Sequence, residues 1–397
     1  MGTTTTRDGV TALPAIDPST ARAEIDLTAF RANIAAVQRH VGSAEVMVVV
    51  KADGYGHGMF ACAREARRAG ASWLGVATPA EAVALREAGD SGRLLAWLYG
   101  VDEDLTPLVA ADVDVSIQSG EQLSRLVAAA GTVERRARVH LKLDTGLSRN
   151  GAAAADWPEL CAAAAEAEDT GAVEVVAVWS HLAAADELGH PSVAAQVAAY
   201  QRGYEIARAA GLEPALRHLA NSAGALVVPE ARMDLVRVGI AAYGVDPAPG
   251  IAAAAGVRLQ PVMALRSQLV NVKTIAAGTG VSYGLTWTTD RTTTVGLVPL
   301  GYGDGIPRHA SNRAEVGWAG GRAPIRGRVC MDQFVVELGP DASAEPGADV
   351  VLFGSGADGE PTAADWAQWC DTIGYEIVTR IGARVPRVYR GATSEGG

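Results

Sequence analysis

From about residue 21 to residue 244, short apolar runs rich in β-branched residues alternate with Ala-rich stretches of helical period, and Gly, Asp or Ser separates one from the next. This is the pattern of repeated βα units. Eight runs read as strands: VMVVVK (46–51), WLGVA (73–77), LLAWLY (94–99), DVSIQ (114–118), VHLKLD (139–144), VVAVWSH (175–181), LRHLAN (216–221) and DLVRVG (234–239). Runs this apolar are buried on both faces, and eight of them joined by helices predict a closed parallel (β/α)8 barrel of the TIM type rather than an open sheet. After Pro249 the helical periods give way to SQLVNVKTI, TTTVGLVPLG, APIRGRVC, QFVVELG and DVVLFG, with one helical stretch over 362–373. The expectation is an α/β protein with a flexible Thr-rich tail at 1–20, a barrel over 21–248 and a C-terminal, mainly β domain over 249–397.

Composition narrows the function classes. With 397 residues, 49% of them hydrophobic and 20% charged, the chain can bury two such cores and is too apolar to be disordered. A formal charge of -11 without any long basic run speaks against nucleic acid. No segment approaches the length of a membrane span, and residues 1–20 lack the apolar core of a signal peptide. Cys62, Cys161, Cys330 and Cys370 are scattered with no CxxC pair, so neither a metal site nor a disulfide scaffold is expected, and a reducing cytoplasm is.

In barrels of this kind the chemistry gathers at the carboxyl ends of the strands. Lys51 ends the first run; the fifth carries Lys142 and Asp144 and leads into Arg149; the sixth ends in His181, the seventh in Asn221 and Ser222, and the eighth carries Arg237 before Gly239. A lysine at the end of VMVVV loses hydration, which lowers its amine pKa as a Schiff-base nucleophile requires; such a lysine can also snorkel to the rim and pair with a carboxylate. Asn221, Ser222, Gly239 and Ile240 close the last two strands, where barrels hold phosphate with backbone amides and a hydroxyl. A lysine facing a phosphate cradle points to pyridoxal 5'-phosphate. That cofactor needs a partner for its ring nitrogen, a place open to Arg237 unless it pairs with Asp234.

Nine segments then become specific in combination: VVVKADGYGHG, LKLDTGLSRNG, SHLAAADE, HLANSAGAL, LVRVGIAAYG, VSYGLTW, LGYGDGIPR, GRVCMDQ and RVPRVY. In this order they resemble the alanine racemases, and they extend through both expected domains. The resemblance implies a pyridoxal-phosphate-dependent enzyme that interconverts L-alanine and D-alanine and supplies D-alanine for cell-wall peptidoglycan. It also implies a homodimer whose active sites are each shared between one barrel and the β domain of the other subunit.

Within that resemblance, Lys51 carries the cofactor and is one acid/base, and Tyr283 of VSYG is the other, on the opposite face. Two different bases suit racemisation, which removes a proton from one face of a carbon and returns one to the other. A phenol with an ordinary pKa near 10 needs a cation or donor to serve as base, a role the resemblance gives to His181 and, beyond it, Arg237. Tyr55, Ser222, Gly239 and Ile240 are implied at the phosphate, Arg149 and the backbone of Met331 at the substrate carboxylate, and Tyr302 and Asp332 at the entrance. Lys142 matches a lysine that is often carbamylated in the family; a plain pairing with Asp144 is the alternative. Some relatives carry a tyrosine just before RVPR that reaches the phosphate, whereas this chain has Ala383. Other readings on the same scaffold are a broader racemase for serine or a basic amino acid, a decarboxylase, and a non-catalytic pyridoxal phosphate carrier.

Overall fold

In the computed structural model of the chain, which describes residues 14–392, the first strand, β1 (Ala21–Asp26), does not belong to the barrel. It pairs antiparallel with Met263–Gln268 and parallel with Arg387–Arg390. Its buried Glu24 receives Arg22 and Arg266 at 2.9 Å and Arg390 at 2.6 Å. The chain thus divides into two compact units, Phe30–Leu259 and the segments that flank it in sequence. The expected boundaries at 21 and 249 are corrected accordingly. The alternation of ARAEID suits either unit, and its deciding partners, Arg266 and Arg390, lie 242 and 366 residues along the chain. Of the expected tail, 1–13 falls outside the described residues. The rest is tied down: Ile16 N–H donates to Arg384 O, and Thr20 O accepts from Gln268 N–H and the Ser267 hydroxyl.

Within Phe30–Leu259 all eight expected strands form: β2 (Glu45–Val49), β3 (Trp73–Val76), β4 (Arg93–Ala96), β5 (Asp114–Ile117), β6 (Ala137–Lys142), β7 (Val173–Trp179), β8 (Leu216–His218) and β9 (Leu235–Val238). They are parallel neighbours from β8 back to β2, and β2 pairs with β9. Backbone bonds from Asp234 N to Arg217 O and from Arg237 N to Ala220 O bring β9 to β8, leaving a nearly closed TIM-like barrel. Met47, Trp73, Leu95, Val176, Ala177 and Leu235 pack together in its core. Gly75 marks how tightly: a methyl group there would lie 2.7 Å from the Trp97 ring and 2.8 Å from Met47 sulfur. Pro79–Glu87 shows how the helices are set, with Thr78 and Glu81 forming a capping box and Pro79 at the first turn.

The second unit is mainly β, as expected. A nine-stranded sheet includes β1 and the final strand Arg387–Arg390. SQLVNVKTI is split between Met263–Gln268 and Asn271–Ile275, separated by Leu269 and Val270, and the buried Leu269 side chain packs against Gly296. The helical stretch expected over 362–373 forms the helix Ala363–Trp369, and a second helix, Gly374–Thr379, follows beyond it.

Candidate active site

Lys51 follows β2 after the single residue Val50 and opens a turn in which Ala52, Asp53, Gly54 and Tyr55 all have φ between 52° and 61°. For residues with a Cβ this left-handed backbone costs about 1–2 kcal/mol each, so it persists only where partners hold it. Glu81 is the main one. Its Oε1 accepts from Ala52 N–H at 2.7 Å, and its Oε2 from the N–H groups of Ala77 and Thr78 at 2.9 and 3.0 Å. Asp53 Oδ1 accepts from Met59 N–H. The turn carries the buried Tyr55 back to Gly239, where a methyl group would lie 2.3 Å from the phenol oxygen. Ser222 closes the same corner, accepting from Gly239 N–H at 2.9 Å and Ala241 N–H at 3.4 Å. Tyr55, Ser222, Gly239 and the start of Ile240–Tyr243 are therefore neighbours. Asn221 caps Ser222–Val227, its Oδ1 accepting from Gly224 N–H.

The cations gather. Burial and the charge of Arg149 lower the Lys51 amine, with Glu81 opposing. Lys142, buried at the end of β6, is pushed down to about 7 by burial, Arg237, Arg149 and Lys51. Its Nζ lies 4.1 Å from the centre of the Trp179 ring. Asp144 is engaged elsewhere: its Oδ1 accepts from Gly146, Leu147 and Ser148 N–H, shaping the turn into Arg149. Asp234 likewise pairs with Arg217 at 2.8 Å, which removes the simplest structural partner for Arg237.

Arg237 is buried against Trp179 and donates in two directions. Nη1 donates to His218 Nδ1 and His218 O; Nη2 donates to Ser180 O, Leu219 O and His181 Nδ1 at 2.9–3.1 Å. A guanidinium only donates, so His181 carries its proton on Nε2. Burial and the surrounding cations hold His181 well below the usual imidazole range, so the ring is neutral. A pocket with Lys51, Lys142, Arg149 and Arg237 in mutual electrostatic reach favours anions.

The remaining expected residues lie in the β unit. Tyr283, 73% exposed, starts a short turn whose preceding Ser282 has φ 63° and donates its hydroxyl to Arg328 O. Tyr302 and Met331 are also exposed and their loops are joined: Tyr302 N–H donates to Cys330 O and Gly303 N–H to Met331 O. Arg384 bridges Asp304 and Asp332 at 2.9 Å each. Sequence reading missed Glu81, Asp304 and Arg384, whose importance lies in contacts across loops, and passed over His218 within HLANSAGAL. Among the described residues no cluster of metal-binding side chains occurs, and no helix is long and apolar enough to cross a membrane.

The alanine racemase N-terminal domain profile matches residues 25–247 and the C-terminal domain profile residues 262–389. The chain belongs to the alanine racemase family. Alanine racemase of Frankia casuarinae is 53% identical over 92% of this chain and 95% of its own length; that of Thermobifida fusca is 52% identical over 94% and 99%. The crystal structure of alanine racemase from D-cycloserine producing Streptomyces lavendulae superposes with a TM-score of 0.93 at 49% identity, covering 95% of this chain and 99% of that one. The chain is accordingly an enzyme, an isomerase of the alanine racemase class. A match that continues through the second domain leaves the non-catalytic carrier without support.

Proposed function

We propose that the chain racemises alanine with pyridoxal 5'-phosphate held at the carboxyl end of the barrel. The observation that carries this is the convergence there of Lys51 with the corner formed by Tyr55, Ser222 and Gly239. The residues fit the group. The missing Cβ at Gly239 admits the Tyr55 phenol beside the Ser222 hydroxyl, to which the Gly239 N–H donates, so the corner gathers the polar groups a phosphate needs, while Lys51 has a depressed amine pKa and Arg237 presents fixed donors. Tyr55, Ser222, Gly239 and Ile240 would hold the phosphate, Lys51 the aldehyde carbon, and Arg237 the ring nitrogen, with His181 and Asn221 flanking. When bound, the cofactor draws electrons from the substrate α-carbon and so acidifies its C–H bond.

The side chains supply the rest. Lys51 Nζ would remove or return the α-proton on one face, and burial beside Arg149 lowers its amine pKa, which favours the neutral base. Tyr283 Oη from a second copy of the chain does the same on the other face, assisted by the Nε2–H of His181. Arg149 and the Met331 backbone orient the substrate carboxylate, and Tyr302 and Asp332 border its entry. Lys142, neutral in part at pH 7 and unpaired with Asp144, would add carbon dioxide to its amine with loss of a proton; the carbamate so formed would face Arg149. Exposure of Tyr283, Tyr302 and Met331 on the β unit supports a homodimer with shared sites. Four free cysteines agree with a cytoplasmic setting, and D-alanine for peptidoglycan is the product's role. The test is Lys51→Ala, which should fold, bind no pyridoxal phosphate covalently and lack racemase activity on L-alanine; retained racemisation would refute the assignment.

A further inference from the structure

The barrel interior holds a polar chain that the racemase reading leaves unused. Asp114, the fully buried first residue of β5, accepts from Arg138 Nε on one oxygen and Arg93 Nη2 on the other. The second oxygen also meets His140 Nε2 at 3.1 Å. His140 Nδ1 lies 2.9 Å from His218 Nε2, and His218 Nδ1 lies 3.2 Å from Arg237 Nη1. Both imidazoles are fully buried, in a place where barrels of this kind carry branched apolar side chains. We propose that Asp114, His140 and His218 are positioning residues, a relay that fixes the protonation pattern of His218 so that its lone pair holds Arg237 in place. The inference rests on the proposed role of Arg237 at the cofactor ring.

The order of donors follows from the two ends. Burial opposes ionisation of Asp114, but the His140 hydrogen bond and the two guanidiniums keep its carboxyl below the usual range. It is ionised and only accepts, so His140 Nε2 donates to it. Burial keeps both rings neutral, His140 against the pull of Asp114 and His218 with the added push of His140, Arg237 and Lys142, so each has one N–H. His140 Nδ1 must then accept, His218 Nε2 must donate to it, and His218 Nδ1 is left with a lone pair. Arg237 can only donate, and that is what it meets. With the opposite pattern two donors would face each other at 3.2 Å and Nη1 would keep only His218 O, loosening the guanidinium, because its other nitrogen is already shared among Ser180 O, Leu219 O and His181 Nδ1. Trp179, stacked on His218 at 5.3 Å and lying under Arg237, prevents either group from swinging away.

The test is 15N NMR of histidine-labelled full-length protein, purified with pyridoxal phosphate, alongside kinetics. In the unmodified protein His218 should give an unprotonated Nδ1 and a protonated Nε2. His140→Phe leaves the arginine pairs of Asp114 in place and Asp114→Asn removes the charge; in either variant the single His218 pattern should become mixed. With it, kcat for alanine should fall about ten- to a hundredfold, the range for losing the outer partner of a metal-bound imidazole, and KM should move less than about twofold. A protonated Nδ1 on His218 in the unmodified protein overturns the proposal without any variant. So does a folded His140→Phe or Asp114→Asn protein whose kcat and His218 signal are unchanged. Arg237→Glu, measured in parallel, separates the layers: if it leaves the chemistry untouched the reading of Arg237 fails, whereas the His218 signal still reports on the relay.

Discussion

Tyr55 and Gly239 approach so closely that one methyl group on residue 239 would lie 2.3 Å from the phenol oxygen. No side chain larger than hydrogen is compatible with the present position of Tyr55, which is itself held in a left-handed turn with φ 52°. Gly239→Ala should therefore displace Tyr55, cost about 1–3 kcal/mol of stability, and weaken pyridoxal phosphate binding. Thermal unfolding with and without added cofactor measures both. An unchanged cofactor affinity would detach this corner from the phosphate.

Glu81 gathers three backbone N–H groups and is the acid nearest in effect to Lys51. In Glu81→Ala those donors lose their partner, and a loss of about 2 kcal/mol is expected. Since Glu81 is what raises the Lys51 amine, that amine should fall further. The acidic limb of the rate profile governed by Lys51 then moves to lower pH. A limb that stays in place would mean the carboxylate acts on the fold alone.

Lys142 gives stability a definite slope with pH. Its pKa is about 7 in the fold against 10.5 for an ordinary lysine, so between these values the unfolded chain binds the extra proton and stability rises with pH. Below pH 7 the penalty is fully present. Lys142→Met should thus stabilise the protein by about 2 kcal/mol at pH 6, and the gain should shrink toward pH 10. Paired urea titrations in carbon-dioxide-free buffer test this; a gain independent of pH would contradict it.

Arg237→Glu replaces a group that cannot give up its place as donor with one that can share a proton with a ring nitrogen. Racemisation should drop more than about tenfold while pyruvate formation from alanine rises. Behaviour like the parent protein would make Arg237 purely structural.

The shared site can be tested by mixing subunits. Lys51→Ala and Tyr283→Ala proteins, each inactive, should after dissociation and random re-pairing recover about a quarter of the unmodified sites, because a mixed dimer has one site with both lesions and one with neither. Size exclusion with a tagged subunit establishes that exchange has occurred. No recovery after exchange would mean that each site comes from a single chain.

The eight barrel strands were legible because each is a near-continuous apolar run, and the polar residues that interrupt or end those runs, Lys51, Lys142, His181 and Arg237, include the cations that meet in the structure. What the sequence could not supply was pairing between distant parts. β1 looks like any alternating strand until Arg266 and Arg390 reach Glu24. Glu81 reads as an ordinary helix-start acid, yet it also braces the turn behind Lys51. Asp114 and His140 are polar letters in short strands, and only their distance from His218 gives them meaning.

The placing of β1 bears on how the molecule is made. This strand leaves the ribosome long before one of its two neighbours, Arg387–Arg390, and Glu24 waits 366 residues for Arg390. The β unit can therefore complete its sheet only after Arg387–Arg390 has emerged, whereas every strand of the barrel is available long before. Closing so long a loop is a slow step. Until it closes, the edge of β1 that Arg387–Arg390 covers is open to mispairing with other chains, which makes the interval before that strand emerges a period of aggregation risk.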